Sequence, residues 1–276
     1  MTQAPQTQPA LFDRPALIAH RARRKPTALF LHETARDEVE DRLSMVNRTF
    51  TAPAIVTPFA EIWQNSLPGA KIVSDDDVLD LEPGTHDVVI HAMCLHWAND
   101  PVGQLIQCRR ALKEDGLLLV LMMGGQTLHE LRSALAEAET TITGGLSPRV
   151  VPMGEIRDLG GLLQRAGFAL PVADLVPLTA EYRDLYHLMH DLRDMGESNA
   201  IAQRSKTPTP RLLFEMADHL YRQHFATESN RLPATFEMVC LTGWSPSDTQ
   251  QKPLRPGSAK ARLADALKVP ETKLPD

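Results

Sequence analysis

Residues 87–93 and 117–123 read Asp87-Val88-Val89-Ile90-His91-Ala92-Met93 and Leu117-Leu118-Leu119-Val120-Leu121-Met122-Met123. The segment between them reads Asn99-Asp100-Pro101 through Lys113 to Gly116. A strand-length run rich in β-branched residues and a continuous apolar run, with a helical stretch between, describe a strand–helix–strand unit whose second strand is buried on both faces. Asp100 has the oxygen to cap a helix and Pro101 the fixed φ suited to its first position. Gly124-Gly125 then turns the chain, and Thr127 and Glu130 have the Thr-x-x-Glu spacing of a capping box for a helix faced by Leu128, Leu131, Leu135 and Ala138.

The pattern continues on either side. Thr27 is placed to cap a helix to about Met45, whose apolar positions Leu31, Ala35, Val39, Leu43 and Val46 step by three or four. Ala54–Val56 and Lys71–Val73 are short strands, separated by a helix over 60–67. Downstream come a helix over 156–166, a strand over 172–178, helices over 181–195 and 214–225, and a strand over 235–243. The order implies an α/β fold, a mostly parallel central sheet with helices on both faces. Residues 1–10 read as a disordered tail, 11–245 as one domain with leading helices and a helical insertion near 181–230, and 246–276 as a loosely ordered tail with a short helix near 259–267.

Composition narrows the function classes. The 276-residue chain carries a net charge of -6, against a general nucleic-acid binder, which needs a positive surface. The basic run Arg14, Arg21, Arg23, Arg24 and Lys25 is read as a solvated helix face or as a docking patch for an acidic partner. No apolar run approaches the about 20 residues needed to span a membrane. Cys94, Cys108 and Cys240 form neither a CxxC pair nor a zinc spacing, so a reducing compartment is expected: the cytoplasm, or the mitochondrial matrix for a eukaryotic source. His86, His91, His96, His187 and His190 stand in no metal-ligand pattern, and no metal is expected.

Several segments carry a resemblance: Leu11-Phe12-Asp13-Arg14, Leu95-His96-Trp97-Ala98-Asn99-Asp100, Gly124 through Arg132, Asp158-Leu159-Gly160 with Arg165-Ala166-Gly167-Phe168, Met195-Gly196-Glu197-Ser198-Asn199, and Pro233-Ala234-Thr235-Phe236. Together they resemble the class I S-adenosylmethionine-dependent methyltransferases. Within these the chain is most similar to complex I assembly factors of the arginine-hydroxylase type and to the neighbouring biotin-pathway malonyl-carrier methyltransferases. The resemblance implies a Rossmann-like methyltransferase fold and S-adenosylmethionine as cofactor. It implies a protein partner or substrate, such as a respiratory-complex subunit. It places Asp75, Asp76 and Met93 beside the cofactor and His96, Trp97, Glu197, Ser198 and Asn199 around the substrate. No catalytic residue is assigned.

The departures matter equally. The family's first strand runs into a glycine-rich loop that lets the backbone approach the cofactor. Here that stretch is Ile55-Val56-Thr57-Pro58-Phe59-Ala60, and no glycine precedes Gly69. The span from this strand to Asp87 is also short by about one strand–helix unit, the one that supplies the ribose-gripping acid. The expectation is a methyltransferase-family protein with a degenerate cofactor site, a pseudoenzyme acting as an assembly or binding factor. The alternative is an active methyltransferase or protein-arginine hydroxylase. Gly124-Gly125 is read as a strand-to-helix turn, with an anion cradle as the second possibility.

Overall fold

The computed structural model describes residues 10–250. The chain divides into two units, Met1–Pro246 and Ser247–Asp276. Of the second, residues 247–250 form a turn closed by the Gln250 N–H on the Ser247 carbonyl. Most of both tails expected from the sequence, and the short helix near 259–267, lie outside the described residues.

The first unit runs α1 (Arg14–Arg21), α2 (Phe30–Met45), β1 (Pro53–Val56), α3 (Ala60–Trp63), β2 (Lys71–Val73), β3 (His86–Ala92), α4 (Pro101–Ala111), β4 (Leu112–Gly124), α5 (His129–Thr143), α6 (Ile156–Arg165), β5 (Ala169–Tyr182), α7 (Leu185–Met195), α8 (Arg211–Phe225) and β6 (Leu232–Trp244). One six-stranded sheet has the order β2-β1-β3-β4-β6-β5. The first four strands pair in parallel, and β6 pairs antiparallel with both β4 and β5. This is the mixed, mostly parallel α/β architecture expected. Between β1 and β3 lie only a four-residue helix and a three-residue strand, matching the shortened span.

Alternation along the strands explains the two-sided core. Ile55, Val88, Ile90, Leu117 and Leu119 join one apolar cluster with residues of α2, α5, α7 and α8. Their neighbours Ala54, Val56, Val89, Leu118 and Val120 join another with residues of α4 and α6. The chain moves outward from β1 to β2, then recrosses to β3. The carboxyl ends of β1 and β3 therefore flank the switch point where open parallel sheets bind ligands.

Asp100 caps α4 as expected, accepting from the Gly103 N–H at 2.8 Å, with Pro101 at the first position. Two other caps are corrected. Thr27 lies in a 3-10 turn, Pro26–Ala28, and α2 starts at Phe30 without a side-chain cap. The Thr127/Glu130 capping box does not form. Thr127 Oγ1 donates to the Gly124 carbonyl at 2.7 Å and accepts from the Glu237 N–H at 3.0 Å, while Glu130 accepts from Thr235. Both side chains tie α5 to β6, and Leu128 enters the helix in the left-handed region. The helix expected over 60–67 contracts to 60–63. That expected from Glu181 starts only at Leu185, because β5 runs on to Tyr182 and Asp184 caps the helix.

Candidate functional site: a cavity beside a closed strand tip

A cavity of about 280 Å³ opens at the carboxyl ends of β3 and β4. Its walls come from α2 (Leu31, His32), the strand ends (Met93, Met123), α5 (Leu131, Leu135), the loop at 149–153, α7 (Met189, Leu192, Met195), α8 (Phe214) and β6 (Phe236). The polar residues in its lining are His32, His96, Trp97, Thr127, Arg149, Glu197, Ser198 and Asn199, of which His96 and Trp97 meet Glu197. The structure thus brings all five substrate-side residues expected from the sequence to one cavity, together with Met93.

Trp97 Nε1 donates to Glu197 Oε2 at 2.7 Å, and His96 Nε2 lies 3.5 Å from the same oxygen, at ion-pair rather than hydrogen-bond distance. His96 Nδ1 accepts from the Met123 N–H at 3.3 Å, which assigns the ring proton to Nε2. Burial works to raise the Glu197 carboxyl, but His96, the Arg21 charge and the Trp97 N–H outweigh it and hold it below the usual range. Glu197 follows the C-cap Gly196, whose φ of +84° favours glycine and whose absent Cβ would lie 3.1 Å from Arg21 Cα. The glycine thereby lets the end of α7 press against α1. Asn199 spends its side chain on the backbone, donating to the Pro148 carbonyl and accepting from the Ile201 N–H. Met93 adopts a positive φ of 56°, a strained setting for a non-glycine residue at a cavity-facing strand end.

The tip of β1 is different. Phe59 is fully buried, its ring edge-on to His32 at 4.7 Å and covered by the Arg24 guanidinium at 4.7 Å. Its backbone N–H donates to Thr57 Oγ1, and the Thr57 N–H to the Val73 carbonyl. Next to it, Arg21 Nη1 donates to both oxygens of Asp75 at 3.0 and 2.8 Å, and Arg14 Nη1 reaches Asp75 at 3.2 Å. Asp76 takes the other branch of Arg14. Of the three positions expected beside a cofactor, Asp75 and Asp76 are therefore engaged by arginines, and Met93 faces the cavity.

The basic run is corrected in part by the same geometry. Arg14, Arg21 and Arg24 turn to acids of the chain, while Arg23 and Lys25 stay exposed as a solvated face would have them. Arg14 and Arg21 hold Asp75, Arg24 holds Glu61, and Lys25 holds Asp194 at 2.7 Å. Gly124-Gly125 is a turn. Glu237 packs against Gly125, where a Cβ would sit 1.8 Å from its Oε2, and accepts the Gln126 N–H at 2.7 Å. A carboxylate of the chain itself thus fills the place an external anion would take. All three cysteines are free and buried. Among the described residues, no cluster of His, Cys, Asp or Glu is arranged to hold a metal.

Neither His32, which lines the cavity and backs Phe59, nor the methionines of its wall carry a local signature. These residues come from elements far apart in the chain.

A methyltransferase-domain family model matches residues 40–120. The arginine-hydroxylase NDUFAF5, mitochondrial, of Danio rerio is 34% identical over 236 residues, covering 85% of this chain and 73% of that protein. The chain belongs to the NDUFAF5 family of the class I methyltransferase superfamily. The human arginine-hydroxylase NDUFAF5 is 35% identical over 224 residues, and the chain spans 65% of its length. Malonyl-[acyl-carrier protein] O-methyltransferase of Laribacter hongkongensis is 32% identical over 188 residues, covering 68% of this chain and 61% of that enzyme. A solved putative methyltransferase of Bacillus halodurans aligns over 76% of the chain at 13% identity, with a TM-score of 0.48. The quoted family segments now have addresses: Gly124–Arg132 forms the β4–α5 turn, and Met195–Asn199 the polar end of the cavity.

Proposed function

We propose that this protein keeps the methyltransferase fold with a degenerate cofactor site and works as an assembly or binding factor for a respiratory-chain protein. The observation that carries the reading is the closed tip of β1. S-adenosylmethionine needs close backbone approach there and an acidic side chain free to take its hydroxyls. Phe59 is fully buried where a glycine would stand, and Asp75 is committed to Arg21 and Arg14. The residues present do not fit that cofactor, so no chemical step is routed through it. Four of the family segments, those at 95–100, 124–132, 195–199 and 233–236, contribute residues to the neighbouring cavity, whose mostly apolar wall and single carboxylate suit binding. The relatives named NDUFAF5 are named mitochondrial, and the three buried thiols accord with a reducing compartment, the cytoplasm or a mitochondrial matrix. Among the described residues no helix is long and apolar enough to cross a membrane.

Titration calorimetry of the full chain with S-adenosylmethionine and S-adenosylhomocysteine tests the first half. No heat is expected up to millimolar ligand, and micromolar affinity for either refutes it. Native affinity capture from respiratory membranes tests the second half, which fails if no respiratory-complex subunit is recovered. The second reading, an active methyltransferase or protein-arginine hydroxylase, draws on Glu197. A carboxylate held ionised at the end of an apolar cavity suits a guanidinium.

A further inference from the structure

The cavity has a chemistry of its own, separate from the question of a protein partner. Its body is apolar, and five of its lining residues are methionines: Met93, Met123, Met153, Met189 and Met195. Thioether side chains adapt to differently shaped apolar ligands. The charges at its wall are unbalanced. Arg149 lines the cavity, but its guanidinium is held by Glu139 at 2.7 Å and by Thr209 at 2.9 Å. Arg21 bonds Asp75 through Nη1, and no hydrogen bond joins it to Glu197. His96 Nδ1 is taken by the Met123 N–H, and its Nε2 stands 3.5 Å from Glu197. Glu197 is left as a carboxylate without a full counter-charge. Both of its contacts, from Trp97 and His96, fall on Oε2, and 20% of its side-chain surface stays open.

Size sets the second constraint. A cavity of about 150 Å³ takes a benzene ring, and this one is about 280 Å³. A ligand of about ten to twelve non-hydrogen atoms would fill it by that comparison, more than one aliphatic side chain supplies.

We propose that this cavity is a binding site for a small hydrophobic amine, with its N–H groups on Glu197 and its apolar body among the methionines. The site asks for one positive charge at one end, none elsewhere, and an aryl-alkyl or branched aliphatic remainder. It discriminates against carboxylates of the same shape, because a second anion beside Glu197 would be buried without a partner.

Three shape-matched probes test this on the full chain: 4-phenylbutylamine, 4-phenyl-1-butanol and 4-phenylbutyrate. Calorimetry gives the affinities, and methionine-methyl NMR reports whether the lining methyls move. The amine is expected to bind about tenfold or more tightly than the alcohol, the worth of one charge-assisted hydrogen bond, with the carboxylate weakest. Glu197→Gln should bring amine and alcohol within about threefold of each other while both still shift the methionine methyls. Equal binding of all three probes by the unaltered protein overturns the proposal, as does absence of binding by the amine. Because the comparison needs no variant, a folding defect in Glu197→Gln leaves it decisive. The outcome is independent of S-adenosylmethionine binding, so failure here and failure of the degenerate-site reading are told apart.

Discussion

Replacing Asp75 by leucine should be among the most damaging single changes in the molecule. The carboxylate is buried, with 4% of its side-chain surface exposed, and its partner Arg21 retains 7%. Arg21 Nη1 makes two bonds to Asp75, and Arg21 Nε and Nη2 have no other partner. Removing the acid strands a guanidinium in the interior, which costs about 3–5 kcal/mol. For a domain of this size each kcal/mol moves Tm by about 2–4 °C, so a fall of roughly 10 °C is expected by circular dichroism. The double replacement Arg21→Met with Asp75→Leu should recover most of that, because swapping a buried ion pair for apolar residues of similar volume is often neutral. The pH dependence adds a second readout. Burial pushes the Asp75 carboxyl up, but the charges and hydrogen bonds of Arg21 and Arg14 prevail and hold it below 3.8. A carboxyl depressed in the folded state stabilises fully above its unfolded value and loses that contribution as pH falls through the folded one. The unaltered protein should therefore show an acid limb below pH 4 that Asp75→Leu flattens. A single-variant loss under about 1 kcal/mol, the worth of an exposed pair, or strict additivity in the double variant, would refute the reasoning.

Two further outcomes follow from local geometry. Asp100→Ala removes the acceptor of the Gly103 N–H and should cost about 1 kcal/mol, read in denaturant titration as a lower midpoint at unchanged slope. Burial lowers both His32 and His91 to about 4. Both stay neutral when folded and protonate on unfolding below 6.5, so stability should fall with decreasing pH between 6.5 and 4. The slope should approach about 1.4 kcal/mol per pH unit for each histidine, and His91→Gln should remove one of the two contributions.

The sequence made some of this legible and hid the rest, for a consistent reason. β3, β4 and the cap at Asp100 were readable because the forces that form them act within a few residues: continuous apolar runs, a short polar side chain, a proline. The departure at Phe59 was readable too, since a missing glycine is a local fact. The Thr127/Glu130 motif misled because both side chains have stronger partners on β6, more than a hundred residues away. The basic run misled in part for the same reason, the acids that take Arg14, Arg21 and Arg24 lying on the Asp75 loop and α3. The five residues expected around a substrate were named through family resemblance and share one cavity, while the rest of its lining, Leu31 and His32 with Met189 and Phe214, has no signature because its elements meet only in the fold.

If the cofactor site is degenerate as proposed, the closed tip bears on whether one substitution would restore it. An open crevice at a strand tip is costly to keep: its walls forgo contacts that a packed interior makes. Here Phe59 converts that space into core, and burying such a ring is worth about 1.5–3 kcal/mol. The Arg21–Asp75 pair then seals its flank, and the Gly196 contact couples the sealing helix to the residue before Glu197. Phe59→Gly should therefore lose stability, by about 3–5 kcal/mol as for other buried aromatic truncations, without creating a nucleoside site, because α1 and its arginines still hold the acid. If that variant instead bound S-adenosylmethionine at micromolar concentration, Phe59 alone would be the barrier, and the proposed degeneracy would rest on one residue rather than on three separate elements.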